Sequence, residues 1–255
     1  MTQRVVITGG AAGIGRRLAE RFATTGARVA ICDADAEAVA AAVTSNPDWI
    51  AETPDVTDES AMGAFLNSVE SQWGGVDVVC ANAGTGGPAG LIEELDYSDW
   101  QACLSVNVHG AFLTCRWAAR IMRAQGAGLI LLTSSTAGLF GYPYRSPYAA
   151  AKWAIVGLTK TLAMELGPAG VRVNAIAPGA VEGDRMERVL TNEARATGKS
   201  IEALRAEYVR ATSLRSWVSA NDIADTALFL ASPAARKISG QVLTVDGHTE
   251  TLAPC

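Results

Sequence analysis

The 255-residue chain is short of the residues that mark several protein classes. Its five cysteines, Cys32, Cys80, Cys103, Cys115 and Cys255, form no CxxC pair and no metal-like cluster. That pattern predicts reduced, buried thiols and no metal site. The two histidines, His109 and His248, sit in no recognisable nucleophile motif, which argues against a histidine-activated nucleophile. No apolar run is long enough to span a bilayer. The opening stretch MTQRVVITGG is expected to enter a strand at once, which would leave no room for a signal peptide. Net charge is −5 and the charges are scattered, so no basic block offers a surface for nucleic acid or an anionic membrane. Internal repeats, low-complexity stretches and linkers are also missing. The expectation is a cytoplasmic protein with a small-molecule partner and neither nucleic acid nor membrane.

What is present is a steady alternation of apolar runs and helical patterns. With 49% hydrophobic and 18% charged residues, the chain has material for one sizeable core. Apolar runs fall at Arg4–Thr8, Arg28–Cys32, Trp49–Ala51, Val76–Ala81, Leu129–Thr133, Val171–Ala177 and Val242–Val245. Helical patterns fall at Ile14–Thr24, Ala36–Thr44, Glu59–Trp73, Trp100–Ala124, Tyr148–Leu166 and Asp222–Ala231. Non-alternating apolar strands separated by helices predict an α/β fold, a doubly wound parallel sheet of about seven strands covered on both faces. One domain over 1–255 is expected. The segment Glu182–Ser219 is longer than a crossover helix needs, and two short helices, Arg185–Ala196 and Ile201–Ala211, are expected there as a substrate lid. Gly198 would stop the first and Ser200 would cap the second.

The loop Thr8-Gly-Gly-Ala-Ala-Gly-Ile-Gly15 follows the first strand and opens a helix. Glycines there permit a tight turn and let the backbone approach a pyrophosphate at the helix N-terminus. Gly9, Ala12, Gly13, Ile14 and Gly15 are therefore candidate cofactor contacts, although a glycine pattern alone also fits a plain structural turn. Asp33 ends the second strand, where a carboxylate can hold a ribose 2′-hydroxyl and repel a 2′-phosphate. This favours NAD over NADP. Two alternatives stand beside it: Asp33 as N-cap of the next helix, and Arg16 or Arg17 as a phosphate ligand.

The stretch SPYAAAKW places Tyr148 and Lys152 one helical turn apart. A free phenol titrates near ~10, so only about one in a thousand is ionised at pH 7. Lys152 on the same face favours the phenolate. Ser146-Pro147 reads as N-cap and N1, which would set Tyr148 in the first turn at the positive end of the helix dipole.

Seven elements in order then resemble the classical short-chain dehydrogenase/reductase family along nearly the whole chain. They are Thr8–Gly15, Asp55-Val56, Asn82-Ala83-Gly84, Asn107 in SVNVHG, Ser135 in TSSTAG, Tyr148-x-x-x-Lys152, and Asn174 with Pro178-Gly179. The resemblance implies a Rossmann-type sheet of order 3-2-1-4-5-6-7 and a homotetramer or dimer. It implies Asn107, Ser135, Tyr148 and Lys152 as the catalytic set. Tyr148 would be the general acid/base, Ser135 would position the substrate oxygen, and Lys152 would supply charge and hold the nicotinamide ribose. Asn107 would anchor a water in a helical kink. Asp55 and Val56 would meet adenine, Asn82, Ala83 and Gly84 would floor the adenine ribose, and Pro178, Gly179 and Val181 would meet the nicotinamide. Two departures stand out. Val181-Glu182-Gly183 lacks the threonine common after Pro-Gly, and Asp246-Gly247-His248 replaces a terminal glycine pair.

Substrate signals are thinner. Phe140, Tyr142, Tyr144 and Trp153 surround the Tyr148 segment, and Arg145, Arg185 and Arg188 could receive an anionic hydroxy compound. Solvation, or pairing with Glu182, Asp184 and Glu187, is the alternative for those arginines. The leading expectation is an NAD-dependent enzyme interconverting a secondary alcohol and ketone, such as a polyol, sugar-like compound or hydroxy acid. A 3-oxoacyl-thioester reductase and a non-catalytic NAD-binding regulator are the other two readings.

Overall fold

The computed structural model describes residues 2–250. Its strands are β1 (Arg4–Thr8), β2 (Arg28–Cys32), β3 (Ile50–Glu52), β4 (Val78–Ala81), β5 (Gly128–Thr133), β6 (Val171–Pro178) and β7 (Val242–Val245). They form one parallel sheet in the order β3-β2-β1-β4-β5-β6-β7. Successive strand residues point to opposite faces, which explains why the apolar runs do not alternate with polar residues. Val6, Val79, Ile130 and Val173 face a core completed by α3 (Glu59–Trp73), α5 (Gly110–Gln125) and α6 (Ser146–Leu166). Their neighbours Val5, Ile7, Val78, Leu129 and Leu131 face a second core with α1 (Gly13–Thr24), α2 (Ala36–Ser45) and α9 (Ala220–Ala231).

Caps fix several boundaries. Asp35 accepts from Ala38 N to begin α2, so the N-cap is Asp35 and not Asp33. Asp58 begins α3, and Ser219 forms a capping box with Asp222, which moves the start of α9 back from Asp222 to Ala220. β4 starts at Val78, and the carboxylate of the preceding Asp77 accepts from the Arg4 guanidinium and the Arg4 N–H.

Two expectations need correction. The pattern read as one helix over Trp100–Ala124 is α4 (Tyr97–Leu104) and α5 joined by a π-turn at Ser105–His109. The other is the Ser146 cap. Arg145, with φ −131° and ψ 34°, is the N-cap of α6, which puts Ser146 inside the helix and Pro147 at the second position. The Ser146 hydroxyl is buried without a partner and caps nothing. Proline is tolerated there because first-turn N–H groups lack intrahelical acceptors anyway. Tyr148 still lies in the first turn.

After β6 the chain forms α7 (Asp184–Thr197) and α8 (Ile201–Arg210), stopped and started by Gly198 and Ser200 as expected. Met186, Leu190 and Leu204 pack them on each other. Cys32, Cys80, Cys103 and Cys115 are buried free thiols, and burial pushes those of Cys80 and Cys115 up to about 12. Cys255 lies outside the described residues. No helix among the described residues is long and apolar enough to cross a membrane, and they contain no His, Cys, Asp and Glu group suited to a metal ion.

Candidate active site

A cavity of about 970 Å³ opens where β1, β2, β4, β5 and β6 end. Ligands bind in doubly wound sheets at this carboxyl edge, where strand order reverses between β1 and β4. Gly9, Ala12, Gly13, Ile14, Gly15, Asp33, Asp55, Val56, Asn82, Ala83, Gly84, Pro178, Gly179 and Val181 all line it, as do Ser135, Tyr148 and Lys152. Asn107 is buried one layer behind.

The floor is a hydrogen-bonded unit. Thr8 Oγ1 accepts from Asn82 N and Ala83 N, both at 3.1 Å. Asn82 Nδ2 donates to the carbonyls of Thr8 and Gly9, and Thr133 Oγ1 donates to Asn82 Oδ1 at 3.0 Å. Three strand ends are thus tied through one carboxamide. Gly9 adopts φ +61°, and a Cβ on Gly15 would lie 1.8 Å from the Gly9 carbonyl oxygen, so only glycine lets the loop close this tightly on α1. These features fit the pyrophosphate of a dinucleotide at the α1 N-terminus.

Asp33 is fixed beside this loop. Its carboxylate accepts from Ala11 N at 3.1 Å and from Asp35 N at 3.2 Å. Arg16 is paired with Glu20 and stacked 5.2 Å from the Trp49 ring, and Arg17 is paired with the same glutamate. Neither arginine lines the cavity. Asp55 turns its carboxylate to Thr57 N and Oγ1, while Val56 packs against Gly110.

Around Tyr148 three cations converge. Lys152 Nζ lies 5.5 Å from the ring centroid, and the guanidinium carbons of Arg145 and Arg185 lie at 5.6 and 5.9 Å. Burial raises the phenol pKa, but Lys152, Arg185, the Ser135 hydroxyl and Arg145 outweigh it and hold the group below its ordinary value. Lys152 is lowered by burial, against the pull of Tyr148, and donates to Thr133 O at 2.9 Å.

Asn107 occupies the π-turn. Its Nδ2 donates to Thr85 O and Cys103 O, while Oδ1 is buried without a protein donor. A side chain at Gly84 would meet Asn107 Oδ1 at 2.7 Å and Lys152 Nζ at 3.4 Å, so the amide and the ammonium approach the same point. An extra helical residue turns Asn107 inward, a common use of π-turns at functional sites.

The substrate side differs from expectation. Phe140 and Trp153 are exposed and do not line the cavity, whereas Tyr142 and Tyr144 do. Arg145 is 2% exposed; its partners are Gly86 O at 2.7 Å and Glu193 at 3.7 Å, not Glu182, Asp184 or Glu187. Arg185 and Arg188 are exposed, line the cavity and make no ion pair among the described residues, while Glu187 pairs with Arg205. Sequence reading missed Glu193 and Tyr208. A signal was available, since Glu193 continues the buried stripe Met186–Leu190 of α7, where a charged residue calls for a partner. In the Asp246-Gly247-His248 departure, Asp246 accepts from His248 N and Thr249 N and closes the turn.

A family model described as Enoyl-(Acyl carrier protein) reductase matches residues 9–248. The chain is 34% identical to levodione reductase of Leifsonia aquatica over 254 residues, covering 96% of this chain and 94% of that one. It is 35% identical to 7alpha-hydroxysteroid dehydrogenase of Escherichia coli K12, covering 95% and 92%. A solved NAD+-bound xylitol dehydrogenase superposes with a TM-score of 0.93 at 29% identity, covering 96% and 98%. Sheet order, the cavity at the strand ends and these matches agree: the chain belongs to the classical short-chain dehydrogenase/reductase family and is an oxidoreductase acting on CH–OH groups.

Proposed function

We propose that the protein transfers a hydride between NAD and a secondary alcohol or its ketone, with Tyr148 as general acid/base. The observation that carries this reading is the phenol framed by Lys152, Arg145 and Arg185 in one cavity with the glycine loop and Asp33. The nicotinamide would accept or donate the hydride. Ser135 positions the substrate oxygen, Tyr148 takes its proton during oxidation or returns it during reduction, and Lys152 favours the phenolate. Lys152 also holds a ribose hydroxyl, and the free Asn107 Oδ1 accepts from a water that carries the proton onward.

The unpaired Arg185 and Arg188 favour a polar or anionic hydroxy compound over an apolar one. The decisive assay follows reduced-nicotinamide absorbance with NAD and NADP across neutral polyols, hydroxy acids and a 3-oxoacyl thioester. Turnover of hydroxy acids with NAD supports the reading, and thioester reduction with NADP alone overturns it. Asp33→Ser should narrow the NAD preference by roughly tenfold or more, because it removes a charge-assisted bond of about 1.5–3 kcal/mol and the repulsion of a 2′-phosphate. Comparing kcat/KM for the two cofactors checks this. Gly15→Ala should weaken NADH binding at least about tenfold, since the methyl must force the Gly9 carbonyl aside; fluorescence titration of NADH reads it directly.

We read the chain as one domain in which α7 and α8 form the lid insertion over about 182–219. Phe112 on α5 and Trp153 and Met164 on α6 are exposed, the last at 80%, which supports self-association through these helices as a tetramer or dimer. Light scattering tests it.

A further inference from the structure

The strongest unassigned feature is a buried polar knot between the helical insertion and the segment before α6. Glu193 on α7 is 8% exposed. Its carboxylate accepts from Tyr142 OH at 2.8 Å and from Tyr208 OH, on α8, at 2.9 Å to each oxygen. The two phenol oxygens lie 2.5 Å apart. Arg145 Nη1 stands 3.7 Å from the same carboxylate, and Arg145 Nη2 donates to Gly86 O. The Arg145 guanidinium lies 5.6 Å from both the Tyr142 and the Tyr148 ring centroids. Burial followed by the Glu193 charge pushes the Tyr142 hydroxyl up, so both tyrosines remain neutral donors.

Arg185 stands eight residues before Glu193 on α7, about 12 Å along the helix axis. It is exposed, yet its guanidinium reaches to 5.9 Å from the Tyr148 ring centroid. One helix thus carries a buried anchor near its end and a cation over the candidate acid/base group near its start. A helix is stiff over that length, so fixing the anchor fixes the cation.

We propose that Glu193 is a positioning residue that latches α7 to Tyr142 and Arg145 and thereby holds Arg185 over Tyr148. Docking of the insertion then completes the charge environment of the phenol, and an undocked insertion leaves it with Lys152 and Arg145 alone. The inference rests on reading Tyr148 as the acid/base group. The charged and titratable groups facing that phenol are Lys152 from α6, Arg145 from the preceding loop and Arg185 from α7. Cys103 faces Lys152 from α4, and Glu193 and Tyr142 face Arg145.

The direct and the positional effects of Glu193 have opposite signs. Deleting its negative charge in place would make the Tyr148 phenolate easier to form. Releasing α7 would carry Arg185 away and make it harder. The test is an ultraviolet titration of the Tyr148 phenolate in the NAD complex, with the Tyr148→Phe spectrum subtracted. It is run on wild type, Glu193→Gln, Arg185→Gln and the double variant. Glu193→Gln should titrate at higher pH than wild type, as Arg185→Gln does, and the double variant should titrate with Arg185→Gln. On a neutral alcohol, Glu193→Gln should lose about 10- to 100-fold in kcat with unchanged NAD affinity. A Glu193→Gln titration at or below the wild-type midpoint overturns the latch, as does a double variant whose shift is the sum of the singles. If Glu193→Gln does not fold, the charge-neutral Tyr142→Phe, which removes the hydroxyl that Glu193 holds across from α7, replaces it, with the same upward shift expected and a wild-type midpoint overturning the proposal. The titration needs no turnover, so its failure is distinct from failure of the hydride-transfer reading.

Discussion

Tyr148→Phe is expected to lower turnover by about 10²–10⁴-fold while leaving NAD affinity unchanged. The ring is held at 5.5 to 5.9 Å from three cations, and those packing contacts survive loss of the hydroxyl. What disappears is the hydroxyl that the proposed mechanism uses to exchange a proton with the substrate oxygen. Because the cations hold the phenol below its ordinary pKa despite burial, wild-type oxidation should rise with pH through that lowered value, where the phenolate forms. Reduction needs the protonated phenol and should fall as pH rises through the same value. The variant should show neither limb. Steady-state rates across pH, beside NADH fluorescence titration, make the comparison; full turnover in Tyr148→Phe would remove Tyr148 from the chemistry.

Lys152→Met is expected to lower kcat by about a hundredfold and to weaken NAD binding as well. The ammonium is the largest of the charges favouring the Tyr148 phenolate, and methionine keeps the buried volume while deleting it. The limb along which oxidation rises should therefore move to higher pH. Loss of the donor also leaves Thr133 O, 2.9 Å from Nζ in the native protein, without that partner. A lower thermal midpoint follows from an unpaired buried carbonyl, at roughly 1–3 kcal/mol. A kcat loss with unchanged NAD affinity would contradict the ribose contact and leave Lys152 an electrostatic role only.

The strand and helix patterns carried the fold because each rests on a local cause. Runs such as the VVI of β1 and the VAIC of β2 are apolar without alternation, so they belong in a two-faced sheet wherever the rest of the chain goes. The glycine loop and Asp33 were legible for the same reason, since φ above zero and a strand-end carboxylate are local demands. The Ser146 cap was misread because serine before proline fits either the cap or the first helical position. The choice lay in the backbone of Arg145. Likewise nothing local distinguishes a continuous helix from the π-turn that turns Asn107 inward; packing of α4 and α5 against different neighbours decides it.

Sequence alone determined the sheet, the dinucleotide loop, and the Tyr148–Lys152 pair, because helix spacing fixes two residues one turn apart. The tertiary structure alone decided what surrounds that pair. Arg145, Arg185 and Glu193 lie 3, 37 and 45 residues from Tyr148. Their meeting depends on how α7 docks across the strand ends, and burial of Arg145 and Glu193 strengthens the interaction between those two charges. A sequence can place a tyrosine on a helix, but the long-range packing of a second helix decides which charges face it.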